Sequence, residues 1–483
     1  MVFTEPAFLF IFLPFTIVLY FAVPGKFRNA VLLAASLSFY AAGEGLTVAV
    51  LLLCIFLTHA FGLWIENAGS MKRAKLFVAL GIMADLAVLF VYKYSGFFIG
   101  NLNYVLSCLG TGGISFRKVA LPLGLSFFTF KSMAYLLDIY RKTDRAQRNP
   151  FRTALYISLF PQLVAGPIER YPDVSGRLAG RTVTRGCFLD GMTRFITGLA
   201  KKKIVADTLA EKADLIFSIQ TDQLTTGTAW IGAIFYTLQI YYDFSGYSDM
   251  AVGMGKMFGF QFPENFNYPY SARSIREFWR RWHITLSTWF RDYLYIPLGG
   301  GRSTRIRVYF NLLAVFILCG LWHGAAWKFL LWGFFHGTFI ILERGGLSRL
   351  LDACPKVLGN VYTILVIIFG WVIFRADSLS HAGSFISAMI GLDQCSYNPH
   401  PLAEFAGTDI LIVLTAATAG SFPVIPALGK SLARTVAGCR PRYAAVFRVS
   451  VSLAETALFA ALALISILMV AAGTFAPFIY SNF

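Results

Sequence analysis

The chain has 483 residues, 57% of them hydrophobic and only 14% charged, with a mean hydropathy of +0.63. Soluble domains carry about 25% charged residues, so this composition excludes a water-soluble globular protein and indicates a multi-pass membrane protein. The net charge of +17 is spread as short Lys and Arg clusters between apolar runs. That is the pattern of loops retained on the cytoplasmic side rather than of a nucleic-acid-binding face.

Apolar runs that cross or nearly cross a bilayer lie at about 7–24, 30–42, 46–65, 75–98, 119–139, 188–205, 228–250, 308–322, 327–343, 358–374, 409–428 and 446–473. The first, MVFTEPAFLFIFLPFTIVLYFAV, lacks a basic leader and a small-residue cleavage site and reads as a retained span. An all-α protein of about 11–13 transmembrane or re-entrant helices follows, forming one membrane domain over residues 1–483 with its motif-bearing core at about 119–343. Lys26 with Arg28, then Lys72, Arg73 and Lys75, then Arg141, Lys142, Arg145, Arg148 and Arg152 mark alternate loops and place the amino terminus outside. The turn at Gly43 to Gly45 and a loop at 99–118 then face out. Beyond residue 150 the basic clusters are too frequent for simple alternation.

SLFPQLVAGPIERYP, broken at Pro161, Gly166 and Pro167, fits a re-entrant segment, and irregular backbone at membrane depth implies that protein or a watery cavity surrounds it. Neither an internal repeat nor a matching pair of broken helices appears. The clearest late loop runs from about Leu392 to Thr408.

In RSIREFWRRWHITLSTWFRDYLYIPLGGG, from Arg273 to Gly301, helical spacing puts Ile275, Phe278, Trp279, Trp282, Leu286 and Trp289 on one side. Arg273, Arg276, Glu277, Arg280, Arg281 and Arg291 take the other. The expectation is one amphipathic helix at the membrane–water boundary, with His283 at the edge between its faces, either a plain polar residue or an imidazole reaching an acyl chain. His323 in CGLWHGAAW, beside Trp322, sits between Gly320 and Gly324, which leave room for a substrate. His336 in LLWGFFHGTF reads as a hydrogen-bonded packing residue or as a second site member. Asp243 and Ser245 in YYDFSGYSDMAVG either line a polar path or belong to a structural network. The seven cysteines show no CxxC pairing, so neither a disulfide framework nor a metal site is expected. Hydrolase, zincin and nucleotide-binding motifs are missing.

These motifs, with MVFTEPAFLFIFLP, LPLGLSFFTFKSMAYLLDIYR, FPQLVAGPIER, YDFSGYSDMAVGMGKMFGFQFPENFNYPY and GWVIFRA, make the chain resemble the membrane-bound O-acyltransferase (MBOAT) family. Within it the likeness is to the bacterial branch typified by the membrane subunit of alginate O-acetyltransferase. The resemblance implies a helical fold around a tunnel through the membrane, with the family's histidine at His323 and a second polar family position at His283. It further implies transfer of an acetyl group from cytoplasmic acetyl-CoA, as substrate rather than bound cofactor, to an extracytoplasmic polysaccharide. A secreted SGNH-type or similar partner and the bacterial inner membrane belong to the same implication. Relatives often end in FIYFQF where this chain ends in FAPFIYSNF.

His323 then acts as base, His283 or a backbone N–H holds the oxyanion, and Arg276, Arg280 and Arg281 hold the phosphates of coenzyme A. Two alternatives stand beside this. One is a long-chain lipid or protein acyltransferase of the same fold, and the other is a transporter relaying protons through intramembrane His and Asp.

Overall fold

The computed structural model describes residues 2–117, 119–392, 400–437, 441–473 and 478. Cys395, Cys439, residues 393–399 of the loop after Leu392 and all of the FAPFIYSNF tail but Phe478 lie outside the described residues. Among those described, every regular element is a helix. Five segments are long and apolar enough to cross a membrane: Gly25–Glu66, Met71–Cys108, Arg305–His323, Lys356–Arg375 and Ala445–Ala471.

The amino-terminal half runs α1 (Leu13–Ala22), α2 (Arg28–Glu44), α3 (Val48–Glu66), α4 (Met71–Leu89) and α5 (Ser95–Cys108). A π-helical turn, Phe90–Tyr94, joins α4 to α5. The expected loop at 99–118 is therefore helical up to Cys108, because apolar residues continue past the charged Lys93. Then come α6 (Leu125–Tyr140) and α7 (Pro150–Ser158). Of α6, only Leu137 and Tyr140 reach the surface, so its polar residues, Lys131 and Asp138 among them, are buried with the rest.

The segment after α7 is broken and enclosed by protein: Leu159 breaks the helix, and 159–169 is buried throughout. Its irregular backbone is held from α6, where Lys131 Nζ donates to Tyr156 O at 2.5 Å and to Gln162 Oε1 at 2.9 Å, and Gln162 in turn donates to Glu169 at 3.1 Å. Gly124, at φ 74° just before α6, approaches this segment so closely that a Cβ would lie 2.3 Å from Leu163 O.

In the second half α8 (Arg185–Ala200), α9 (Asp207–Ser218) and the 32-residue α10 (Thr226–Met257) pack together. Gly191 faces Gly253 and Gly198 faces Gly246, and a Cβ on Gly191 or Gly198 would stand 2.6 or 2.5 Å from the carbonyl opposite. Small residues are what permit such an approach between helices in lipid. Next come α11 (Ile275–Arg281), α12 (Ile284–Phe290), α13 (Arg305–His323), α14 (Trp327–Leu342) and α15 (Lys356–Arg375). α13 and α14 form a tight hairpin: a Cβ on Gly320 would meet Phe329 O at 2.1 Å, and one on Gly333 would meet Phe316 O at 2.2 Å. Its tip is Gly324–Ala326, immediately after His323.

The stretch from Arg273 to Gly301 is not one interfacial helix. It breaks between α11 and α12 at Trp282, which is extended, and His283, whose φ of 42° is left-handed. Ile275, Phe278, Trp282 and Leu286 face protein, each at most 4% exposed. The apolar side that suggested lipid is packed against α10, α14 and α15, where Trp282 meets Tyr241 and Trp371, and Trp279 meets Trp332.

A candidate acyl-transfer site between two cavities

The break at His283 has a local cause. Asn265 O accepts the Ile284 N–H at 2.9 Å, and Asn265 Oδ1 accepts the Thr285 N–H at 3.2 Å and the Thr285 hydroxyl at 3.0 Å. Asn267 N–H donates to Arg281 O at 3.0 Å. The segment 265–267 thus satisfies the backbone groups that a continuous helix would have paired. Asn265 Oδ1 also lies 3.2 Å from His283 Nδ1. Because a backbone N–H fixes that Asn atom as oxygen, the neutral imidazole must carry its proton on Nδ1, and Nε2 keeps a lone pair.

His283 and His323 line one cavity of about 220 Å³. It follows α13 from Leu312 to His323, about 16 Å at the α-helical rise. Trp279, Phe316 and Cys319 are among its apolar walls, and its mouth carries Arg276, Arg280, Arg291 and Arg344, all exposed. Glu343, a buried carboxylate beside the mouth, accepts the N–H groups of Ile275 and Arg276 at 2.5 and 3.0 Å and so anchors the start of α11. Only two of the three arginines expected to hold phosphates are at this mouth. Arg281 turns away, bound to Glu277 at 2.8 Å and to Asn267 O. Partial burial works against ionising Glu277, but the Arg273 N–H and the Arg281 guanidinium together hold its carboxyl below its ordinary value.

A second cavity, of about 890 Å³, lies at the other end of the α13–α14 hairpin and is lined by Lys93, Leu121, Gly324, Ala325 and Lys328 among others. His323 therefore stands between two recesses. The first mouth shares a side with the basic loop 141–152, since Arg141 donates to Asp292 O just past α12 and Arg170 pairs with Asp292. The second shares a side with Phe116 and with Val119, Ala120 and Leu121.

Four other candidates do not line the first cavity. Asp243 pairs with Lys202 at 2.5 Å, and Lys202 also meets Asp207 at 2.8 Å, in a fully buried network joining α8, α9 and α10. Ser245 is buried on the same helix, and its hydroxyl has no hydrogen-bond partner among the described residues. His336 packs against Trp279, Trp332 and Phe335, with centroids 5.0 to 5.2 Å apart. It does so without the expected hydrogen bond: neither ring nitrogen has a partner among the described residues. Trp322 borders the site without lining the first cavity. Its ring lies 4.9 Å from that of His323 and 6.2 Å from that of His283, and with Phe127 and Phe130 it walls off the space beyond.

Asn265, Glu343, Arg344 and Lys93 escape a reading by motif and helical face. Each acts through tertiary contacts, and only the run PENFNYPY before the break hinted at one of them.

The chain matches the family model of membrane-bound O-acyltransferases over residues 37–385. It is 43% identical over 424 residues to the "Probable alginate O-acetylase AlgI" of Azotobacter vinelandii, covering 86% of this chain and 83% of that protein. Against the protein of the same name from Pseudomonas aeruginosa it is 43% identical over 417 residues, 85% and 79% of the two chains. It is 35% identical over 436 residues to a peptidoglycan O-acetyltransferase of Helicobacter pylori, covering 82% and 81%. With its motifs, its apolar helices and this match in hand, the chain belongs to the membrane-bound O-acyltransferase family and is a multi-pass membrane O-acyltransferase.

Proposed function

We propose that the protein moves the acetyl group of cytoplasmic acetyl-CoA to a hydroxyl on the far side of a bacterial inner membrane, for O-acetylation of a polysaccharide by way of a secreted SGNH-type or similar partner. The observation that carries this reading is the placement of His323 at the inner end of an arginine-mouthed cavity, with a second recess directly behind it. Alginate and peptidoglycan in the names of relatives favour a glycan as the final acceptor.

Arg276, Arg280, Arg291 and Arg344 hold the diphosphate and 3′-phosphate of the donor at the mouth, and the pantetheine arm runs along α13. His323 takes the proton of the attacking hydroxyl as its oxygen adds to the thioester carbonyl. Collapse of that adduct breaks the C–S bond, and the proton passes to the departing thiolate. The bare Nε2 of His283 is an acceptor, so in this tautomer it suits an amide N–H of the arm. It does not suit the oxyanion, which needs donors.

Replacing Arg276, Arg280 and Arg344 with Gln is expected to raise the KM for acetyl-CoA while leaving turnover at saturating donor within a few-fold, because phosphate contacts are made equally in ground and transition states. Steady-state kinetics in detergent test this, and an unchanged KM would remove the arginines from donor binding. For orientation, a reporter fused near Arg145 is expected on the cytoplasmic side and a cysteine at Asn103 labelled from outside. Labelling of Asn103→Cys by a cytoplasmic reagent alone would invert the assignment.

A further inference from the structure

The π-helical turn Phe90–Tyr94 interrupts an otherwise α-helical run from Met71 to Cys108, and π-turns inside α-helices often mark functional sites. Its last two residues both donate to the end of α13. Lys93 Nζ donates to Trp322 O, with a second bond to Ser126 Oγ at 3.0 Å, and the Tyr94 hydroxyl donates to Leu321 O at 3.1 Å. These are the carbonyls of the two residues that precede His323, in the last turn of a helix, where carbonyls lack intrahelical partners. Two hydrogen bonds from adjacent residues to consecutive carbonyls are more than helix packing requires. A lysine head group at the end of a helix also answers its negative pole. Lys93 forms no ion pair among the described residues, and its ammonium lies 5.7 Å from the Trp322 ring centroid, so the contact to α13 dominates its surroundings.

A π-turn accommodates one extra residue, and removing it would rotate everything beyond by about 100°. We infer that the π-turn Phe90–Tyr94 is a positioning device, in which Lys93 and Tyr94 together fix the end of α13 and thereby aim the His323 imidazole between the two cavities. Neither is a catalytic residue in this reading. The inference rests on the proposed role of His323, but part of its test does not depend on turnover.

The experiment compares Lys93→Met, Tyr94→Phe and a deletion of Val91, which shortens the π-turn by one residue. Lys93→Met and the Val91 deletion are expected to lower kcat for acetyl transfer about 10²-fold, the scale of a misplacement near 1 Å. KM for acetyl-CoA should stay within about two-fold, because the arginine mouth is untouched. Tyr94→Phe should lose less, having removed one neutral hydrogen bond. In parallel, ring ¹³C signals are recorded from protein labelled at histidine, with His323 assigned by its disappearance in His323→Gln. The His323 signal is expected to shift or broaden in Lys93→Met, while that of His336, elsewhere on the hairpin, stays in place. An unmoved His323 signal in both Lys93→Met and the deletion overturns the positioning role, as does equal loss in kcat and in donor affinity. A wild-type protein with no activity toward acetyl-CoA overturns the donor assignment instead, and the histidine spectra still decide the inference.

Discussion

Replacing His323 with Gln is expected to lower acetyl transfer about 10²–10⁴-fold, the span for loss of a positioned base. His323→Ala should be no worse by more than a small factor. Gln keeps a hydrogen-bonding side chain of similar reach but cannot take and return a proton near neutral pH, so it separates base chemistry from positioning. Folding should suffer little. The imidazole stacks edge-on against Trp322, Trp332 and Phe374, a wall that persists around a Gln. Transfer rates at saturating acetyl-CoA, measured beside the melting temperature, decide the point. Retention of more than about a tenth of wild-type transfer would take the base assignment away from His323 and leave His283, the other imidazole in the cavity, to be tried.

The second large effect is on stability. Lys202→Met removes the cation between Asp243 and Asp207 deep in the α8–α9–α10 packing. Asp207 keeps its pair with Lys203, but removing one member of a buried ion pair costs about 3–5 kcal/mol, so the variant should show a clear drop in melting temperature and in yield of folded protein. Lys202→Met combined with Asp243→Leu should recover part of the loss, since an apolar pair of similar volume is tolerated where a lone ion is not. A single mutant as stable as wild type would mean that water or another cation reaches Asp243. Loss of acetyl transfer without loss of stability would return Asp243 to the catalytic machinery.

Lys202 illustrates what the amino-acid sequence conceals. Most spans were legible, because an apolar run of membrane-crossing length reports itself without reference to any neighbour; the ends of α3, α13, α14 and α15 fall within a few residues of the expected runs. The break in the helix around Pro161 to Pro167 was legible too, since two prolines and a glycine interrupt a continuous helix. Helical periodicity also assigned a shared face to Ile275, Phe278, Trp282 and Leu286, but not what that face meets. Lipid and a packed aromatic interior select the same side chains, so burial against Trp332 and Trp371 read as exposure to membrane. The break at His283 left no local mark, because its cause, Asn265, lies 18 residues upstream. Of the two cavity histidines, His323 stood out as an ionisable group amid apolar surroundings, whereas His283 was marked by the family resemblance. The lysine on Trp322 O and the carboxylate at the start of α11 did not, because their partners are carbonyl and N–H groups that every residue possesses.

The aromatic wall between the two cavities has an electrical consequence. Phe127, Phe130, Trp322, Trp332 and Phe374 form an apolar aromatic wall around His323, whereas water filling the recess on either side would conduct. A membrane voltage does not fall evenly across such a protein; it drops where the insulator is, at His323. Each 100 mV is worth about 2.3 kcal/mol for an elementary charge carried through the whole drop. In the proposed reaction, a proton taken from a hydroxyl on the outer side and surrendered to a thiolate on the inner side makes that journey inward, along the field of a cell whose interior is negative. On that reading the wall that separates the two recesses also couples the acyl-transfer step to the charge on the membrane.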